Sequence, residues 1–130
     1  FKSMSNSFLQ AALDARLKAY APYSQFLVGA ALETISGEVF TGCNVENASY
    51  GLTICAERSA LFTAVGQGEQ TFRRVAVASK GGVLPCGACL QVLSEFGTDD
   101  LIVLLIDADQ PEEVRQLTLG ELMPQRFRLE

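Results

Sequence analysis

Apolar side chains at Phe8, Leu9, Ala12, Leu13, Leu17 and Tyr20 recur every three or four positions, which predicts one apolar face on a helix over residues 5–20. A serine or asparagine among residues 5–7 is expected to cap its start, and Pro22 to stop it. Residues 21–26 (Ala-Pro-Tyr-Ser-Gln-Phe) turn the chain into a strand over 27–33. Ser36-Gly37 then reverses it tightly into a second strand over 38–45, giving an antiparallel pair. A polar loop over 46–51 leads to a helix over 55–65, with Ala60, Leu61, Ala64 and Val65 on its buried side. Thr53 is its expected N-cap and Gly66 its C-cap. A short apolar strand over 74–79 precedes a helix over 86–96, on which Cys89, Leu90, Leu93 and Phe96 align and after which Gly97 follows. Six apolar residues in a row at 101–106 read as a strand covered on both faces. Residues 112–117 and 118–123 read as weaker helical turns. A hairpin followed by helix–strand–helix–strand builds a three-layer α/β domain on a mixed sheet. One domain is expected over 4–130, and Phe1-Lys2-Ser3 ahead of Met4 reads as a tag remnant.

The totals narrow the function. A chain of 130 residues that is 48% hydrophobic and 19% charged can bury a real core. Its ten basic residues are scattered, with Arg73-Arg74 the one adjacent pair, and the net charge is −5. A groove that tracks phosphates needs a basic stripe, so a nucleic-acid polymer is a poor partner and a small neutral ligand a better one. No apolar run reaches the roughly 18 residues of a membrane span. The sequence has four cysteines, no histidine and no recognisable signal peptide. A reduced, cytoplasmic setting is therefore expected. Without histidine, catalysis falls to carboxylates, thiolates or a metal ion.

Candidate chemistry gathers in two pieces, Thr53-Ile-Cys-Ala-Glu-Arg58 and Leu84-Pro-Cys-Gly-Ala-Cys89. Both begin expected helices, where the unpaired amides and the helix dipole favour thiolates. A Cys-x-x-Cys pair opening a helix also reads as a thiol redox motif. Cys55 is a third thiol, which a redox pair does not need. Three thiolates from Cys55, Cys86 and Cys89 leave one corner of a tetrahedral zinc ion open, the mark of a catalytic site. Cys43, inside an apolar strand, reads as a small buried side chain and not as a fourth ligand. Glu57 lies beside the centre and can move protons. Zinc lowers the pKa of a bound water to about 7, and Glu57 can take that proton. Three thiolates on a divalent ion leave the centre net negative, and Arg58 can draw off charge by hydrogen bonding to sulfur. A zinc- or thiol-stabilised interaction domain remains the non-enzymatic alternative.

With these residues in view, the chain resembles the short-chain, zinc-dependent cytidine deaminases along nearly its whole length. The resemblance rests on Ala21-Pro-Tyr-Ser-Gln-Phe-Leu-Val-Gly-Ala-Ala31, Gly42-Cys-Asn-Val-Glu-Asn-Ala-Ser-Tyr50, Ile54-Cys-Ala-Glu-Arg58 and Leu84-Pro-Cys-Gly-Ala-Cys89. It implies a three-layer α/β/α fold with a mixed central sheet of about five strands. It also implies one zinc ion on Cys55, Cys86 and Cys89, with Glu57 as proton shuttle. Asn44 and Glu46 match the family's ribose contacts, Phe26 its pyrimidine-stacking residue, and the backbone of Ala56 a contact to the base. Members are usually homotetramers whose neighbours complete each pocket, and Tyr50 and Phe127 look like those cross-subunit contributions. The implied reaction is hydrolysis of cytidine and 2′-deoxycytidine to uridine and 2′-deoxyuridine plus ammonia, in pyrimidine salvage. The family usually places arginine after the last cysteine, where this chain has Leu90. That departure is the one support for an alternative substrate, such as a cytosine-containing nucleoside antibiotic.

Overall fold

The computed structural model describes residues 2–129, with side chains described from residue 7 onward. Strands β1 (Val28–Thr34), β2 (Val39–Cys43), β3 (Phe72–Ser79), β4 (Ile102–Asp107) and β5 (Val114–Thr118) form one sheet. Their order is β2-β1-β3-β4-β5, and β3–β4 is the parallel pair in an otherwise antiparallel ladder. The helices are α1 (Lys2–Arg16), α2 (Ala56–Gly66), α3 (Gly87–Phe96) and the one-turn α4 (Leu119–Leu122).

Period-two alternation sends successive strand residues to opposite faces and so divides the core in two. Ala30, Leu32, Val75, Val77, Val103 and Leu105 pack against Ala60, Leu61 and Ala64 of α2 and Leu93 of α3. Ala31, Ala76, Ala78, Leu104 and Ile106 meet Phe8 and Ala12 of α1 on the other side. β3 and β4 are apolar on both faces because both faces are covered, as the run at 101–106 predicts. The three layers are α1, the sheet, and α2 with α3.

Several boundaries differ from the sequence reading. The first helix runs through residues 5–7 and ends at Arg16, so no cap lies there and Pro22 does not stop it. Leu17 and Tyr20 are exposed. The backbone leaves the helix to pair elsewhere: Tyr20 N–H donates to the Asn44 carbonyl at 3.0 Å, and Glu46 N–H to the Tyr20 carbonyl at 2.8 Å. Thr53 is not the cap of α2; Cys55 holds that position in an extended conformation. Gly66 is still helical, Gln67 caps the helix, and Gly68 takes the left-handed φ of 92°. The weak helical turn expected at 112–117 is instead β5, an exposed edge strand antiparallel to β4. Val-Arg-Gln-Leu-Thr has no clean alternation to announce a strand, and the free edge of β4 decides its conformation. The turn expected over 118–123 forms as α4, with a capping box between Thr118 and Glu121.

Leu61 is fully buried where α2 meets the sheet. Leu61→Ala should destabilise the metal-free protein by about 2–5 kcal/mol. Urea unfolding checks this, and a loss below about 1 kcal/mol would mean that the helix–sheet seam is not close-packed.

Candidate active site

Two local structures deliver the thiols. Val45 and Ile54 exchange backbone hydrogen bonds of 3.0 Å in both directions, which sets the start of α2 beside the end of β2. After β3, Gly81 and Gly82 take φ values of 83° and 62°, and Val83 N–H donates to Ser79 Oγ at 3.1 Å. This turn carries the chain to Cys86. Cys55 and Cys86 are the N-cap residues of α2 and α3, and neither uses its side chain to cap. Their sulfurs are left to meet each other and Cys89, which lies fully buried in the first turn of α3.

The Cys55 and Cys86 sulfurs are 3.8 Å apart and those of Cys86 and Cys89 3.4 Å. All three lie within 4.8 Å of one another, and no fourth His, Cys, Asp or Glu joins them among the described residues. Two zinc–sulfur bonds of about 2.3 Å meeting tetrahedrally would put sulfurs about 3.8 Å apart. The donor set and its spacing therefore fit zinc. Cys43 lies elsewhere and donates to the Lys18 carbonyl at 3.5 Å.

Charge around the cluster is balanced locally. Arg58 Nη2 donates to Cys55 Sγ at 3.4 Å, while its Nε is buried with no partner among the described residues. In the metal-free chain, hydrogen bonding from Cys89 chiefly, helped by Arg58 and Cys86, holds the Cys55 thiol down at about 5. Cys89, the donor to Cys55, is pushed up for the same reason and by its burial. Leu90, which stands in the arginine position, packs against the core. Glu57 is 5% exposed. Burial raises its carboxyl to about 7, and the Cys55 charge adds to the rise against the opposing pull of its own amide and Arg58.

Cys55, Cys86 and Glu57 open on a cleft of about 280 Å³ that Phe26, Asn44, Glu46, Tyr50 and Ala56 also line. Asn44 Oδ1 accepts from Val28 N–H at 2.9 Å, and its Nδ2 donates to the Phe26 carbonyl at 2.8 Å. Glu46 Oε1 accepts from the amides of Tyr23 and Ser24 at 2.9 and 3.1 Å, and its other oxygen accepts from Ser24 Oγ. The Ser24 hydroxyl chiefly, with both amides, keeps the Glu46 carboxyl below the ordinary range. These bonds tie the turn that carries Phe26 to the segment after β2. Phe26 is 37% exposed on this cleft and is not a core residue. Phe127 is exposed and lies outside the cleft, where its carbonyl accepts from Gln91 Nε2 at 3.3 Å. Sequence reasoning missed Ser24, Val28, Thr53, Val77, Val83 and Leu84, which line the same cleft. Ser24 carried a usable signal, a hydroxyl two residues before Phe26 in a turn; the others have ordinary apolar or cap-like identities.

An α/β domain with three thiols at two helix N-termini, open to a cleft beside a buried carboxyl, has the form of a metal-dependent hydrolytic centre. Residues 2–105 match the family described as the cytidine and deoxycytidylate deaminase zinc-binding region. The chain is 45% identical over 124 residues to a cytidine deaminase of Halalkalibacterium halodurans, covering 94% of this chain and 92% of that protein. It is 44% identical over 115 residues to a cytidine deaminase of Sporosarcina psychrophila, covering 87% and 83%. The crystal structure of cytidine deaminase from Burkholderia pseudomallei superposes with a TM-score of 0.88 at 50% identity, covering 94% of this chain and 98% of that one. The chain belongs to the cytidine and deoxycytidylate deaminase zinc-binding family.

The metal-free protein should ionise one thiol with a midpoint near pH 5, read as thiolate ultraviolet absorbance. Arg58→Ala should move that midpoint up. Because the folded pKa lies below the unfolded thiol value of 9.0, this ionisation stabilises the fold fully above pH 9. The contribution is lost as pH falls through about 5. Absence of any thiolate signal below pH 7 would contradict the hydrogen-bonded cluster.

Proposed function

We propose that this protein hydrolytically deaminates cytidine and 2′-deoxycytidine, releasing uridine or 2′-deoxyuridine and ammonia. The observation that carries the reading is the convergence of three cysteine sulfurs within 4.8 Å at the end of a cleft that a buried carboxyl also lines. Cys55, Cys86 and Cys89 would hold one zinc ion, which supplies an acidified water and a fixed positive charge. Glu57 takes the proton of the attacking water, since its carboxyl is held near neutrality by burial. It returns a proton to ring N3 as C4 becomes tetrahedral. The proton of the new C4 hydroxyl then passes by way of Glu57 to the amino group, and the C4–N bond breaks to release ammonia and leave the C4 carbonyl. Arg58 withdraws charge from Cys55. Phe26 stacks on the pyrimidine, the Ala56 backbone contacts the base, and Asn44 and Glu46 hold the sugar hydroxyls at the far end of the cleft. Each keeps bonding capacity beyond its loop contacts: a second lone pair on Asn44 Oδ1 and a second hydrogen on its amide, and a second lone pair on the Glu46 oxygen that accepts from Ser24 Oγ. The site favours the tetrahedral carbon over the flat ring.

The single domain over 4–130 assembles as a homotetramer, in the cytoplasm. Tyr50 (58% exposed), Leu52 (72%) and Phe127 (67%) are large apolar side chains that a neighbour would cover; Tyr50, which lines this chain's own cleft, would also meet the neighbour at its rim, and Phe127 would reach an adjoining cleft. Four free cysteines suit a reducing compartment. Among the described residues, no helix is long and apolar enough to cross a membrane.

Ultraviolet assay of the zinc-loaded protein with cytidine and 2′-deoxycytidine tests the reaction, and folded, zinc-loaded protein without turnover rejects it. Glu57→Gln should abolish turnover and keep one zinc per chain by metal analysis; loss of the metal as well would mean that ligands and shuttle are wrongly divided. Sedimentation at assay concentration should give a four-chain mass.

A further inference from the structure

Two glycines of the β1–β2 hairpin sit at neighbouring rungs on opposite faces of the sheet. Gly29 pairs with Cys43, and Ala30 with Gly42. A Cβ on Gly29 would lie 2.2 Å from the Ala12 carbonyl oxygen and 2.3 Å from Arg16 N, both in α1. A Cβ on Gly42 would lie 2.4 Å from Ala60 N and 2.7 Å from the Ala56 carbonyl oxygen, the two ends of one helical turn at the start of α2. The obstructing atoms are backbone, so no rotamer change relieves either contact. The first turn of α2 therefore rests directly on the β2 main chain. That turn follows Cys55 immediately and contains Ala56, Glu57 and Arg58.

We propose that Gly42 is a positioning residue for the deamination centre: its missing side chain sets the depth at which Cys55 and Glu57 enter the cleft. This rests on the functional reading above. An alanine at 42 would have to lift the helix start by about 1 Å to reach ordinary contact distance. Cys86 and Cys89 are carried by α3, which does not rest on Gly42, so the Cys55–Cys86 spacing of 3.8 Å would change. Asn44 and Glu46 stay with the strand that carries Gly42, so the sugar end of the cleft is disturbed less than the reacting end.

The test compares Gly42→Ala with Gly29→Ala, a clash of similar size against α1 on the opposite face. Both should lower the thermal midpoint. Gly42→Ala alone should weaken zinc binding in chelator competition and change the visible absorption bands of the cobalt(II)-substituted protein. Its kcat should fall about 100-fold with KM changed far less. Gly29→Ala should keep the wild-type cobalt spectrum and kcat. If Gly42→Ala does not fold, Gly42→Ala/Ser59→Gly, which removes the third contact, Ser59 Cβ at 2.9 Å, and keeps the two backbone contacts under test, is read in the same way. A folded Gly42 variant with wild-type spectrum and kcat overturns the proposal. Equal losses in the Gly29 variant overturn it too, as does failure of both Gly42 chains to fold, since glycine is then a need of the fold and not of the site. A wild-type chain that binds metal but does not deaminate cytidine overturns the functional reading alone, and the cobalt spectra still judge Gly42.

Discussion

The structure depends on two helix N-termini meeting at one point. Three sulfurs within 4.8 Å are an unfavourable arrangement if all are ionised, and water cannot screen Cys89, which is fully buried. What makes it tolerable is the field around it. Two sets of unpaired helix amides, the Arg58 guanidinium at 3.4 Å from Cys55, and a divalent cation all favour negative charge there. Leu90 packs against the core, and among the described residues the cation hydrogen-bonded to Cys55 is Arg58.

Burial then separates the roles of neighbours in sequence. Cys55 and Glu57 are two residues apart on the same turn, yet one acid is driven down to about 5 and the other up to about 7. The thiol gains hydrogen-bond donors, whereas the carboxyl loses water without gaining a cation of its own. Environment, and not residue type alone, thus sets apart a thiol poised as thiolate and a carboxyl poised near 7 two positions on, the division on which the proposed roles rest.

Part of the cleft wall is built from polar side chains that hold backbone. Asn44 and Glu46 bond to the 23–28 segment before any ligand arrives. Those bonds hold the turn that carries Phe26, an arrangement that would reduce the ordering cost of the proposed binding. A left-handed Gln25, with φ 60°, lies between Ser24 and Phe26, and the Ser24–Glu46 bonds hold the turn in which it sits.

Helices α2 and α3, strands β1, β3 and β4, and the membership of the metal cluster were determined by the sequence itself. Their cause is local: apolar spacing, a Ser-Gly reversal, and thiols set at helix starts beside one carboxylate. Other features were decided by tertiary structure. The first helix ends at Arg16 because Tyr20 finds strand partners in Asn44 and Glu46, which lie far along the chain. β5 is a strand because β4 offers an unpaired edge, although residues 112–117 carry no strand pattern. Phe26 faces a cleft because Glu46 and Asn44 hold the turn that carries it, and its residue type alone does not say so. The close approach of α2 to Gly42 is equally invisible in one dimension. Local pattern fixes what a segment prefers; which partner satisfies its remaining hydrogen bonds and surfaces is a property of the whole folded chain.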